Sequence, residues 1–503
     1  MKDRVFNLIT SILIVALAAL GGALAGILFR VSVVVPVKSQ VTTQLLAWKS
    51  PKNPLLAAAM NPQGEHSVAI QPGEVRPLPG ALDDIPMFNS NSPEWVKQEG
   101  ILLSTFPPHG KAVPEAHLDY PLGGEFELFA HHFVHTPPES KTLYIGILVY
   151  NPHNEPVRVH IPAVASYLLE PDAPFQEKPP MADNSQGNVY SGPGIRAVDA
   201  VMRGTRLADF PSQLEIPPGE MRMLLNHPIP VKGLERPVNG RSTFMRLNCT
   251  TSGTAPTPSD VYVASLAMYA KISPDGKERS PELQEWQNLL YNGSLAQPRD
   301  RVPTPPEQTT GQLVYSRVAG VQKGSKWQAD LVDEAANHLT IPEPGKAISY
   351  VISTIRSGTL GTRQIQAAEL AVRYPDTAYQ AHGNYGVHYD LTTPLFNPTD
   401  TQQVVTITLE TPHKEENLSQ GGLMFRQPPW DFPYFRGTVR LQYHDDRRVE
   451  NTKYLHLWHR RGQIVEPLLT LKLKPQETRL VRLDFRYPPD ATPPQVVTIR
   501  TLK

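Results

Sequence analysis

Proline sets the strongest limit on what this chain can become. The sequence carries 52 prolines in 503 residues, about twice the ordinary frequency. Proline has no backbone N–H and a fixed φ, so it is excluded from helix interiors and from the middle of sheets. A chain so rich in it is expected to form many short strands joined by rigid turns, with few long helices. Hydrophobic residues make up 40% and charged residues 19%, the balance of a folded protein. The length allows roughly two to four domains. Lys plus Arg and Asp plus Glu number 48 each, so no global field draws the chain to nucleic acid. The single cysteine, Cys249, excludes an intramolecular disulfide. Its setting in Arg246-Leu247-Asn248-Cys249-Thr250 reads as a strand end with a packed, inert thiol.

The amino-terminal segment reads differently. Val5 to Phe29 contain no charge and only Asn7, Thr10 and Ser11 as polar residues, between Lys2 and Arg4 on one side and Arg30 on the other. As a helix at about 1.5 Å per residue this run exceeds the roughly 30 Å of bilayer hydrocarbon. The expectation is an uncleaved signal-anchor over residues 1–30, with the lipid bilayer as partner through residues 5–29. That makes a single-pass membrane protein with its bulk on the periplasmic side. Residues 31–80 contain Pro36, Pro51, Pro54, Pro62, Pro72, Pro77 and Pro79 with little periodicity, the pattern of a semi-rigid stalk.

From about residue 100 the period becomes two. Glu125-Phe126-Glu127-Leu128-Phe129-Ala130 alternates, Leu143 to Tyr150 is an apolar run stopped by Asn151-Pro152, and Val157-Arg158-Val159-His160-Ile161 alternates again. These are strand and turn signals. An internal echo follows. Tyr150-Asn151-Pro152 before Val157-Arg158-Val159 is matched by Phe396-Asn397-Pro398 before Val404-Val405-Thr406, at an offset of 397 − 151 = 246. Pro218-Gly219-Glu220-Met221-Arg222 is matched by Pro475-Gln476-Glu477-Thr478-Arg479, at an offset of 475 − 218 = 257. Two matches in one order point to one plan used twice. A short helix is expected from Ile195 to Arg203, stopped by Gly204. A second opens at Ser280-Pro281-Glu282, presents Leu283, Trp286, Leu289 and Leu290, and ends at Asn292-Gly293. The fold class read from these signals is all-β, with two β-sandwich domains of immunoglobulin or fibronectin-like plan after the transmembrane helix. They cover residues 81–297 and 311–503, joined by a Pro-rich linker at 298–310.

Several longer strings carry a resemblance. Val75-Arg76-Pro77-Leu78-Pro79-Gly80, Phe88-Asn89-Ser90-Asn91-Ser92-Pro93, Arg299-Asp300-Arg301-Val302-Pro303, Arg373-Tyr374-Pro375-Asp376-Thr377-Ala378-Tyr379 and Tyr487-Pro488-Pro489-Asp490-Ala491 resemble a cyanobacterial envelope family known only as a domain of unknown function. The similarity runs from about residue 74 to the end. It implies an exported or envelope-associated protein and carries no activity to any residue.

Three constellations invite chemistry. On a strand, Glu125, Glu127, His131 and His135 share a face, and two imidazoles with a carboxylate such as Glu127 could hold zinc. The spacing matches no metal motif, and Phe129 and Phe133 share that face. In Pro428-Pro429-Trp430-Asp431-Phe432-Pro433-Tyr434-Phe435 the aromatics Trp430, Phe432, Tyr434 and Phe435 sit among prolines, a rigid surface suited to a sugar ring or a protein partner; the same loop could instead fold over one end of a sandwich. His444-Asp445-Asp446-Arg447 lies between two strands and reads as a hairpin tip. No nucleophile elbow or His-Glu-x-x-His is present, and no cofactor is implied. The reading is a non-catalytic binding or scaffolding protein of the envelope, with an envelope glycan or protein as partner. The competing readings are a glycan-acting hydrolase or lyase with loop-borne acids, favoured by a groove holding two carboxylates about 5–10 Å apart, and a purely structural component.

Overall fold

Apolar alternation builds strands along this chain, and most prolines fall at their ends or between them, with Pro162 and Pro394 inside strands as exceptions. The computed structural model describes residues 67–308, 310–418 and 421–503. In chain order the first elements are β1 (Ser67–Pro72), β2 (Glu74–Arg76), β3 (Ala81–Leu82), β4 (Met87–Ser90), β5 (Gly100–Ser104), β6 (Leu122–His135), β7 (Leu143–Tyr150), β8 (Val157–Leu168), β9 (Met181–Asp183) and the helix α1 (Pro193–Met202). Next come β10 (Gln213–Ile216), β11 (Met221–Ile229), β12 (Val238–Thr251), β13 (Asp260–Tyr269), the small pair β14 (Lys271–Ile272) and β15 (Glu278–Arg279), and the helix α2 (Leu283–Asn292). The second half holds β16 (Ala319–Gln322), β17 (Lys326–Asp330), β18 (Leu339–Thr340), β19 (Ala347–Ile352), β20 (Ala368–Arg373), β21 (Gln380–Ala381), β22 (His388–Phe396) and β23 (Gln403–Glu410). It ends with β24 (Gly422–Gln427), β25 (Pro433–His444), β26 (Glu450–Arg460), β27 (Leu469–Leu473), β28 (Thr478–Arg486) and β29 (Gln495–Thr501). The chain is predominantly β, as its proline content demands. The helix α2 starts later than the sequence suggests. Pro281 stays outside it, and the Glu285 carboxylate accepts the Glu282 amide at 2.8 Å to cap the first turn.

The echo in the sequence is an echo in space. One sheet of the first half runs β10-β8-β12-β6, and one sheet of the second half runs β27-β23-β29-β19. Against them, β7 pairs β11 and β22 pairs β28, both antiparallel. Phe126, Leu128, Val159, Ile161, Met245 and Leu247 share one apolar cluster with Ile145, Ile147, Val149 and Val263. Val405, Ile407, Val497 and Ile499 share another with Tyr389, Leu391, Leu483 and Phe485. Cys249 lies fully buried in the first cluster, and burial pushes its thiol up to about 12, so it is held as an inert thiol.

The two repeated motifs come together by the same bonds. The Asn151 side-chain amide donates to the carbonyls of Glu155, Ile216 and Pro217 at 2.8, 3.0 and 3.1 Å. The Asn397 amide donates to Thr401, Leu473 and Lys474 at 2.8, 3.1 and 3.0 Å. Each asparagine oxygen accepts the amide two residues on, at His153 and Thr399. Each backbone N–H reaches the glutamate carbonyl of the later motif, Glu220 or Glu477. Both side chains are fully buried. A hairpin stop and a distant strand start are thereby tied at one buried knot, and Asn-Pro supplies both the turn and the tie.

The halves also trade strands. From β6 the first sheet continues through β4 to β16, β20 and β21 of the second half, while β9 adds to the edge of β26. Tyr374, from the second half, is fully buried in the first cluster, where its hydroxyl donates to Ala116 O at 2.8 Å and accepts the Ser104 amide at 3.0 Å. Residues 67–82, read as the end of the stalk and its continuation, instead pair as β1 with β24, β2 with β19 and β3 with β17. Their prolines fall at strand ends, where no ladder N–H is needed. The Pro-rich connection near residue 300 is pinned as well. Arg299 grips Asp376 with two bonds of 2.8 Å, and Asp300 meets Ser92 and Arg317. All described residues fall in one compact unit.

One expectation is corrected. Among the described residues no helix is long and apolar enough to cross a membrane. The helices α1 and α2 have ten residues each, about 15 Å and half the hydrocarbon thickness. The segment Val5–Phe29 lies outside the described residues. A single-pass, periplasmic placement is therefore not supported and is carried no further.

Candidate functional site

Alternation on β6 points Phe126 and Leu128 into the core and turns Glu125, Glu127, Phe129, His131 and Phe133 to the opposite face. Register brings Asn248, Arg246, Phe244 and Ser242 of β12 beside Glu125, Glu127, Phe129 and His131. The helix α1 covers the apolar part of this face, packing Ala197, Val198 and Val201 on Phe129, Ala163, Ala165 and Phe244. Beyond the helix the face stays open. There Glu125, Glu127, His160, Arg206, Arg246 and Asn248 line a groove of about 450 Å³.

Glu127, which lines the groove, is tied to an ion ladder in the second half. Arg486 of β28 donates to both oxygens of Glu127 at 2.7 and 2.6 Å, with both side chains buried, and also to Gly386 O at 2.8 Å. Further along the same sheet face, register sets Asp390 of β22 directly opposite Asp484 of β28. Two facing carboxylates repel, and cations on every side remove the repulsion. Arg482 takes both oxygens of Asp390 at 2.6 and 2.8 Å while Lys326 sits at 2.9 Å. Arg440 takes both oxygens of Asp484 at 2.8 and 2.9 Å, and the His388 ring donates from Nε2 at 2.9 Å. Burial alone would raise the Asp390 carboxyl, but the bonds from Arg482 and Lys326 win and hold it at about 2. Against the same opposition from burial, His388 and Arg440 hold Asp484 below the usual carboxylate range. Burial lowers His388, which stays neutral and donates.

This arrangement decides what the acids can do. Glu125 and Glu127 lie two residues apart on one strand face, roughly 7 Å, inside the range of paired glycosidase carboxylates. Glu127, however, has both oxygens bonded to the Arg486 guanidinium, which balances its charge and holds the carboxylate in place against the second half. Arg246 comes only to 3.7 Å of Glu127 and is half exposed, so its guanidinium faces the groove with charge to spare.

The residues singled out in the sequence are dispersed. Glu127 belongs to the ladder. His131 is buried, with Nδ1 at 2.6 Å from Ser242 Oγ and Nε2 at 3.8 Å from Asp490, while His135 is exposed and its ring meets Trp95 edge-on at 6.3 Å. Among the described residues no group of three or more His, Cys, Asp or Glu could hold a metal ion. In the aromatic loop, Phe435 is in the second core, Phe432 is 9% exposed and stacks on Tyr434 at 4.9 Å, and Arg461 covers Tyr434 at 4.4 Å. Trp430 alone keeps 36% of its surface, with the Arg426 guanidinium 4.8 Å from its ring. His160, Arg206, Arg246, Asn248 and Arg486 were missed by sequence reasoning. The signal available was the outward-facing alternation of β8 and β12, which names the face without saying what stays open.

Sheets that trade strands, with an open polar cleft on one sheet face, define an all-β protein. The chain belongs to the family described as Protein of unknown function (DUF3370), whose model matches residues 73–501. The match covers the region in which the resemblance was read; it says nothing of a cyanobacterial or envelope setting. No curated protein matches. Among solved structures, that of the Macrobrachium rosenbergii nodavirus is similar at 8% identity, covering 96% of this chain and 97% of the other, with a TM-score of 0.14. That score carries no argument about fold.

Proposed function

We propose that this protein is a non-catalytic binding and scaffolding protein. In this reading two β-sandwiches of one plan are locked into a single body, and the groove beside Glu127 takes an acid-bearing oligosaccharide. The observation that carries it is the commitment of both Glu127 oxygens to Arg486. With Glu127 balanced by Arg486, the groove is left with Arg246 and Arg206 against Glu125, a surplus of positive charge beside the hydroxyl-binding His160 and Asn248. Guanidinium and carboxylate match in geometry and charge, which favours a uronate over a neutral sugar.

The hydrolase reading keeps one supporting observation, the Glu125–Glu127 spacing, and one experiment separates the two. Titration with a galacturonate hexamer is expected to show binding that Arg246→Ala weakens by at least about tenfold. Glu125→Gln is expected to keep binding, and the hexamer should be recovered uncut. Release of reducing ends that Glu125→Gln abolishes would establish the hydrolase instead. Absence of binding would remove the acid-bearing ligand.

A further inference from the structure

The other sheet of the first half holds a feature that the groove does not use. On the outer face of β7, Gly146, Leu148 and Tyr150 follow one another at every second residue. The helix α2 covers the first of these: Trp286 packs so closely on Gly146 that a Cβ there would lie 2.7 Å from the indole. Leu148 is fully buried beneath the same helix cluster. Tyr150 lies past the helix and is only partly covered. Directly across the ladder stands Tyr262 of β13, also partly exposed.

These two rings form a raft with Phe106, which is buried and forms its floor. Centroids lie 6.4 Å apart for Tyr150 and Tyr262, 5.7 Å for Phe106 and Tyr150, and 6.1 Å for Phe106 and Tyr262, with planes inclined by 24°, 23° and 38°. The three ring planes lie within 38° of one another, and with Phe106 buried the accessible rings are those of Tyr150 and Tyr262. The rim is polar. Asp119 is exposed and in hydrogen-bonding reach of the Tyr262 hydroxyl. Asp260 precedes Tyr262 by two residues on the same face and is 3.1 Å from His153 Nε2, both side chains about two-fifths exposed at 40% and 41%. Lys111 closes the far side, its ammonium 4.5 Å from the Tyr291 ring and 5.8 Å from Phe106.

We infer that Tyr150 and Tyr262 form a second binding site, a stacking platform for the pyranose rings of a neutral oligosaccharide. Aromatic faces take the C–H face of a sugar ring with little loss of side-chain freedom. Asp119 and Asp260 accept bonds from its hydroxyls, and the same carboxylates disfavour an anionic chain. This site is independent of the groove in place, in aromatic content and in the charge it selects.

The test titrates the full-length protein with cellohexaose, N-acetylchitohexaose and galacturonate hexamer, read by calorimetry and tyrosine fluorescence. At least one neutral hexamer is expected to bind and to change the fluorescence. Tyr150→Ala with Tyr262→Ala should weaken it by about tenfold or more, whereas Tyr150→Phe with Tyr262→Phe keeps most of the affinity because the ring faces remain. Arg246→Ala should leave neutral-hexamer binding within about twofold. Should the alanine pair fail to fold by circular dichroism, Tyr150→Leu with Tyr262→Leu gives the same readout with the apolar volume retained. A wild-type protein that binds neither neutral hexamer overturns the platform. So does neutral binding that survives loss of both rings, or that falls only with Arg246→Ala, and that last result leaves the proposed binding function standing.

Discussion

Arg486→Met is expected to lower the stability of the folded protein by about 3–5 kcal/mol, measured by chemical denaturation. The magnitude comes from what remains. Glu127 stays buried with both of its Arg486 hydrogen bonds lost and only the long ion pair to the half-exposed Arg246 at 3.7 Å retained, and the Gly386 carbonyl loses its donor. The pair Glu127→Leu with Arg486→Leu should recover most of the loss, since removing both charges leaves no uncompensated ion. An Arg486→Met variant within about 0.5 kcal/mol of wild type would mean that the ladder is not what holds Glu127 in place.

The second large effect concerns the repeated knots. Asn151→Ala and Asn397→Ala should each cost about 2–4 kcal/mol, because the fully buried asparagine side chain satisfies three carbonyls, one of them buried and two partly buried, and one partly buried amide. The informative quantity is the comparison. If the knots are one device used twice, the two losses should agree within about 1 kcal/mol. A large loss at Asn397 with none at Asn151 would show that the likeness is one of sequence alone. Aspartate in place of either asparagine should be as harmful as alanine, since it keeps the accepting oxygen but loses the amide that donates three bonds, of four at Asn151 and five at Asn397.

Much of this architecture is legible in the residues. The proline content forbids long helices, Asn-Pro and Pro-x-Glu-x-Arg name both knots, and Cys249 in an alternating run reads as core. What stays hidden is pairing across distance. Residues 67–82 look like a stalk because β2 and β3 are only three and two residues long and carry no period of their own. Their order comes from partners such as Asp333, 257 positions from Arg76. The groove is hidden for a related reason. Alternation tells that Glu127 leaves the core, but Arg486 lies 359 positions away, and nothing local says which outward rows meet. The aromatic loop shows the limit from the other side: proline-flanked aromatics look alike whether they are displayed, as Trp430 is, or buried, as Phe435 is.

The claim on which the account rests is that the two halves unfold as one body because they trade strands and share the Glu127–Arg486 tie. Differential scanning calorimetry of the full-length protein tests it most directly. One transition is predicted over residues 67–503, with calorimetric and van't Hoff enthalpies equal, and Arg486→Met should shift it as a whole. Two resolved transitions in the wild-type protein, with only the later-melting one sensitive to Arg486→Met, would contradict it.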